Sequence, residues 1–170
     1  MRLRRSLSLA AVALVATACV TAPPADAPVS PIVQVDAGDA RARQFGATAA
    51  EILTNASLQS KIRALFGPDW SLEPGHRVRA PASAFFAGGD APRLLRTNDG
   101  EYVAVSGCGP AGCRAQRGLL LIRTTEGESL LARLDEGGFS HYYVHGAGLS
   151  VSPAVRALLD SAHGAVATPA

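Results

Sequence analysis

The sequence predicts an α+β domain, an antiparallel meander of strands flanked by helices. Three observations carry this. Apolar residues recur at helical spacing before residue 67 and again after residue 152. Between them, strand-length runs rich in Val, Leu, Ile and Tyr are separated by short turn signals such as Asn98-Asp99-Gly100. Consecutive hairpins pair antiparallel strands, and helices set before and after a run of hairpins define the α+β class. The 170 residues are enough for one domain with a core.

The N-terminus lies outside that domain. "MRLRRSLSLAAVALVATAC" opens with Arg2, Arg4 and Arg5, continues with an apolar run from Leu7 to Val15, and closes with Ala16-Thr17-Ala18 before Cys19. A charged start, a short apolar stretch and small residues at the cut are the layout of a secretory signal. The run is too short to stay in a bilayer as a spanning helix. Small residues before a cysteine resemble a bacterial lipobox, although a leucine is usual where Ala16 stands. The resemblance implies a signal peptide over residues 1–18 and a lipid on Cys19. Val20, instead of an aspartate, points by the usual sorting rules to the outer membrane. Plain secretion is the rival, with a cut after Ala18 or Ala27; Pro28 disfavours the second.

Export changes the charge. Three of the 16 basic residues lie in the signal and all 14 acids lie beyond it, so the mature chain is near −1. Nothing in that balance points to a nucleic-acid partner. Cysteine counting agrees with export: three cysteines leave one odd, and lipidation of Cys19 frees Cys108 and Cys113 to pair in an oxidising compartment.

Along the mature chain, the Pro- and Ala-rich stretch through residue 37 reads as an anchor and tether. The domain is expected over residues 38–164. Asp39 is placed to cap a helix carrying Phe45, Ala49, Ile52 and Leu53 on one face. Thr54-Asn55 interrupts it. A second stripe, Leu58, Ile62, Leu65 and Phe66, ends at Gly67-Pro68. "RLLRTNDGEYVAVSGC" reads as strand, turn, strand. "GLLLIRTTEGESLLARLD" reads the same way around Glu126-Gly127, and "FSHYYVH" adds a strand. Ser152-Pro153 starts a last helix with Val155, Leu158 and Leu159 apolar. A flexible tail is expected over residues 165–170.

Catalytic chemistry is hard to find. There is no Gly-x-Ser-x-Gly elbow and no Cys-x-x-Cys centre. Gly146 to Gly148 is a lone glycine pair outside any strand–helix turn. Asp135-Glu136 precedes Gly137-Gly138 and reads as solvated charge at a turn, not as an acid/base pair. His141 and His145 share a strand face and with Cys108 and Cys113 would make up a set of four zinc-ligand types, but an exported cysteine pair oxidises more readily than it binds metal. No enzyme, cofactor or metal site is expected.

The segment "YVAVSGCGPAGCRAQR" resembles the inhibitor of vertebrate lysozyme (Ivy) family of bacterial envelope proteins. Tyr102, Ser106, Cys108, Pro110, Cys113, Gln116 and Arg117 carry the resemblance, together with the spacing of the cysteines. It extends more weakly from the helix before "FGPDW" to "LSVSPAVRALLDSAHG", about two-thirds of the mature chain. The resemblance implies a protruding disulfide loop, Cys108 to Cys113, that enters a lysozyme cleft and blocks it. It implies a non-enzymatic, periplasmic inhibitor whose partners are a lysozyme and, through Cys19, the membrane; homodimerisation is left open. The family's loop histidine, lysine and aspartate are replaced here by Ala111, Gly109 and Gly112. The expected contacts therefore reduce to the amides of Gly109, Ala111 and Gly112 and the side chain of Arg114. The rival reading is a non-inhibitory envelope lipoprotein on the same scaffold, binding the cell's own peptidoglycan lytic enzymes or serving a structural role.

Overall fold

Turn chemistry sets the frame of the sheet. The computed structural model describes residues 31, 33–125 and 129–167. Six strands lie side by side in chain order. They are β1 (Gln34–Asp36), β2 (Arg93–Thr97), β3 (Gly100–Cys108), β4 (Gln116–Arg123), β5 (Leu130–Glu136) and β6 (Phe139–His145). Every neighbouring pair is antiparallel. Asn98-Asp99 closes β2 on β3, with Thr97 opposite Gly100. Gly137-Gly138 closes β5 on β6, both with positive φ, +56° and +85°. That two-residue turn matches the right-handed twist of the strands it joins. The turn expected at Glu126-Gly127, like the signal, Cys19 and most of the tether, falls outside the described residues.

The strands are apolar on both faces because both faces are covered. Val103, Val105, Leu120 and Ile122 face α1 (Ala49–Leu53) and α2 (Gln59–Phe66). Their neighbours Tyr102, Ala104, Leu119 and Leu121 face α3 (Pro153–Ala167) through Leu158, Leu159, Ala162 and Val166. Phe66 is central to the first layer, its ring 5.0 Å from Tyr143 and 6.2 Å from Phe86. Such aromatic contacts add to the burial of the rings themselves.

Three expectations are corrected. Asp39 does cap, accepting from the Arg41 N–H at 2.9 Å, but it starts only a 3₁₀ turn over Ala40–Arg43. Gly46, at φ +148°, breaks the chain. Thr48 then caps α1 by accepting from the Glu51 N–H, while the Glu51 carboxylate accepts from the Ala47 N–H. One expected helix is thus two short elements, and its apolar spacing survives across the break. At the domain's start, the tether's last residues form β1, a short edge strand with Val35 opposite Leu95. At its end, α3 continues through the expected tail to Ala167, with Val166 buried beside the sheet.

A 3₁₀ turn over Ala82–Phe86, for which the sequence gives no clear signal, crosses the first layer and buries Phe85 and Phe86. Its backbone lies on Gly107 of β3 and Gly118 of β4. A Cβ at Gly107 would stand 2.5 Å from Phe86 Cα, and one at Gly118 would stand 3.0 Å from the Phe85 carbonyl oxygen. These two glycines face each other across β3 and β4, one register step from the Cys108–Arg117 pair. The turn is therefore clamped onto the base of the β3–β4 loop.

Candidate functional site

The loop between β3 and β4 runs from Gly109 to Ala115 and is closed at its root by the Cys108–Cys113 disulfide. Oxidation takes both thiols out of metal chemistry. Among the described residues, no group of three or more His, Cys, Asp or Glu side chains is placed to hold a metal ion. Pro110 to Ala115 are exposed, and Gly109 is buried beneath Gln116. A Cβ at Gly109 would stand 2.6 Å from Gln116 Oε1. The absence of a side chain there is a packing requirement.

Gln116 organises the loop. Its Oε1 accepts from the Ala111 N–H at 3.1 Å, and its carbonyl accepts from the Gly109 N–H at 3.0 Å. The Gly112 N–H donates to the Gly109 carbonyl at 2.9 Å, and the Gln116 N–H donates to the Gly112 carbonyl at 2.8 Å. Gly112, at φ +85°, supplies the left-handed step of the turn. The amides of Gly109, Ala111 and Gly112, expected from the sequence to reach a target carboxylate, are all spent inside the loop. The amides of Cys113 and Arg114 have no partner among the described residues. Arg114 itself is exposed and forms no ion pair there. The Gly137 N–H ties the loop's end to the β5–β6 turn by donating to the Ala115 carbonyl at 3.3 Å.

Beside the loop, a cleft of about 340 Å³ opens between residues 113–117, the β5–β6 turn and α3. Register places Cys108, Arg117, Asp135 and Ser140 directly opposite one another across β3 to β6. Strand alternation puts this row on the α3 side, with Leu119 and Leu131. Arg133 donates to Asp135 Oδ1 at 2.8 Å and to Asp160 Oδ1 at 2.7 Å. Burial pushes the Asp135 carboxyl up, but the hydrogen bonds from Arg133 and Ser140 outweigh it and hold the group below the usual carboxylate range. His163 Nε2 lies 3.2 Å from Asp135 Oδ2 but is buried without a hydrogen-bond partner.

The charge expected to be solvated at Asp135-Glu136 is instead half-buried at Asp135 and buried at Glu136. Glu136 is 6% exposed on the opposite face. It accepts from the Arg79 N–H at 2.8 Å and lies 4.0 Å from His141 Nε2. Register, not turn composition, decides this: Glu136 pairs with Phe139 at the sheet's end, where the chain from Arg77 to Ala80 covers it.

His163 makes a pH prediction. Its burial and the nearby Arg133 charge both lower its affinity for a proton below the ordinary value of 6.5. The unfolded chain then binds a proton at His163 more readily than the folded one. Stability from this group is present above about pH 6.5 and falls as pH drops toward the folded value. Urea midpoints measured at pH 7.5 and 5.5 are expected to fall for the native protein and to change less for His163→Gln. Equal slopes would remove His163 from the effect.

No known family, curated protein or solved structure matches the chain. The resemblance in the cysteine-loop segment therefore stands on its own residues. Two of those residues gain a physical role: Gln116 fixes the loop from inside, and Tyr102 is buried against α3.

Proposed function

We propose that the protein is a non-enzymatic lysozyme inhibitor of the bacterial envelope that blocks the lysozyme cleft with its disulfide-closed loop. The observation that carries this reading is the loop itself, exposed at its tip and held in one shape by the disulfide and by Gln116. A preformed tip loses little conformational freedom on docking, so more of its contact energy appears as affinity. Lysozyme cleaves with two carboxyl groups, and a ligand that fills the cleft and meets them competes with substrate. The donors left to meet them are the Arg114 guanidinium and the amides of Cys113 and Arg114. Export by the signal over residues 1–18 and a lipid on Cys19 would hold the protein at the periplasmic face of the outer membrane, beside the peptidoglycan it protects.

A second reading follows from the loop's internal hydrogen bonds. With three amides already satisfied, the loop can also be a staple of a non-inhibitory envelope protein. Lysis assays separate the two. The mature chain is expected to slow several lysozyme types at micromolar concentration. Ala111 is exposed and its backbone is already fixed, so Ala111→His is expected to raise potency roughly tenfold to a hundredfold by restoring one charge-assisted contact. No inhibition of any lysozyme by either protein would rule out the inhibitor.

A further inference from the structure

We propose that Arg117 is the anion receptor of a carboxylate-binding site in the cleft between the disulfide loop and the β5–β6 turn. The site lies on the α3 side of the sheet, away from the loop tip. It does not rest on the inhibitor reading.

The first argument is an arginine without its expected partner. Arg117 stands directly opposite Asp135 on the same face of β4 and β5. Opposite charges so placed ordinarily pair. Here Asp135 is engaged elsewhere: its Oδ1 accepts from Arg133 at 2.8 Å. Arg117 is half-buried and makes no ion pair among the described residues. It lines this cleft and also the neighbouring one, which runs from Gly88 and Arg93 past Cys108. A half-buried guanidinium that lines both clefts and holds no ion pair leaves its donors for a ligand.

The second argument fixes the class of ligand. A guanidinium is a planar fork that matches a carboxylate through two parallel hydrogen bonds. Asp135 remains in the cleft wall, so a doubly charged phosphate meets more repulsion than a monoanion does. Arg114 stands at the same cleft's rim and adds positive charge. Phe139, 69% exposed, stands at the rim too and offers an apolar surface to whatever carries the carboxylate. The ligand is thus a carboxylate beside an apolar group, available from a peptide's free C-terminus or from an acidic side chain.

Side-chain NMR tests this on the mature protein. The Arg117 Nε–Hε resonance is followed during titration with three probes: acetyl-Ala-Phe with a free C-terminus, the same peptide as its C-terminal amide, and acetyl-Phe-Glu-Phe amide. Saturable shifts with the first or third probe and none with the second are expected. Response to the first alone assigns the site to C-termini; response to the third assigns it to acidic side chains. With the backbone amide shifts of the cleft residues as the reporter in the variants, Arg117→Gln is expected to weaken binding tenfold or more, and Arg114→Gln by only a few-fold. Arg117→Lys, which keeps the charge and loses the fork, is expected to fall between native and Arg117→Gln. No shift at Arg117 in the native protein with either carboxylate, or undiminished binding in a folded Arg117→Gln, would overturn the proposal.

Discussion

Gly107→Ala is expected to destabilise the fold by about 3 kcal/mol, lowering the melting temperature by roughly 10 °C. The added Cβ would stand 2.5 Å from Phe86 Cα and 2.9 Å from the Phe85 carbonyl oxygen. Both obstacles are backbone, so no rotamer change relieves them. The strand or the Ala82–Phe86 turn must move, and each is anchored. Gly107 pairs with Gly118 in the middle of the sheet, and Phe85 and Phe86 fill the first core layer. Moving the turn would open a void beneath two fully buried rings. The same shift would pass to Cys108, the next residue, and so to the root of the loop. Urea unfolding measures the stability loss. Amide exchange of Ala111, whose N–H is held by Gln116, reports the loop. An unchanged midpoint would show that the turn yields without cost. Gly112→Ala is a useful contrast: its Cβ meets nothing within 4 Å, so only the positive φ opposes it.

The meander was legible because its signals are local. Asn98-Asp99 and Gly137-Gly138 are turn sequences, and the runs beside them are strands by composition. The last helix was legible from Ser152-Pro153, and Ser152 Oγ accepts from the Val155 N–H at 3.3 Å. Elements set by distant contacts were not legible. β1 is three residues long, two of them polar, and exists through its pairing with β2. The Ala82–Phe86 turn carries no side-chain cap and is held by glycines some twenty to thirty residues further on. The end of α3 reads as a tail because Gly164 and small residues dilute it, yet Val166 packs on the sheet.

The loop divides the same way. Cysteine spacing and number gave its closure. Its hydrogen bonding depends on register, which puts the Gln116 side chain over Gly109. No composition rule predicts that the amides of a Gly-rich ring are already in use. Arg117 is the converse case. Its residue type is plain in the sequence, but its lack of a partner follows from the hydrogen bond by which Arg133 holds Asp135.

Asp69→Ala is expected to cost about 4 kcal/mol, since it strips one buried acceptor from three donors. Asp69 is 2% exposed. Tyr143 donates its hydroxyl to Oδ2 at 2.8 Å, Arg77 Nε donates to the same oxygen at 3.1 Å, and the Arg77 N–H donates to Oδ1. These bonds fasten the turn after α2 and the chain at Arg77 to β6. Tyr143 is the most exposed to the loss. It is 4% exposed and packs on Phe66, so no water replaces the acceptor. Burial and the Asp69 charge push its phenol well above the ordinary range, and it stays a donor at every working pH. Burial pushes the Asp69 carboxyl up as well, but the hydrogen bonds from Arg77 and Tyr143 outweigh it and bring it below 3.8. A carboxyl lowered on folding adds stability that is fully present above its unfolded value and is lost as pH falls through the folded one. The gap between native and Asp69→Ala stability is therefore expected to stay constant from pH 7 to about 5 and to shrink below about 4. Asp69→Asn keeps the shape and an acceptor for Tyr143 but turns an amide toward Arg77, so it is expected to fall between the two. Unfolding midpoints at pH 7 and pH 3 decide it: a gap that is equal at both would show that the carboxylate charge contributes nothing and that the loss is one of packing alone.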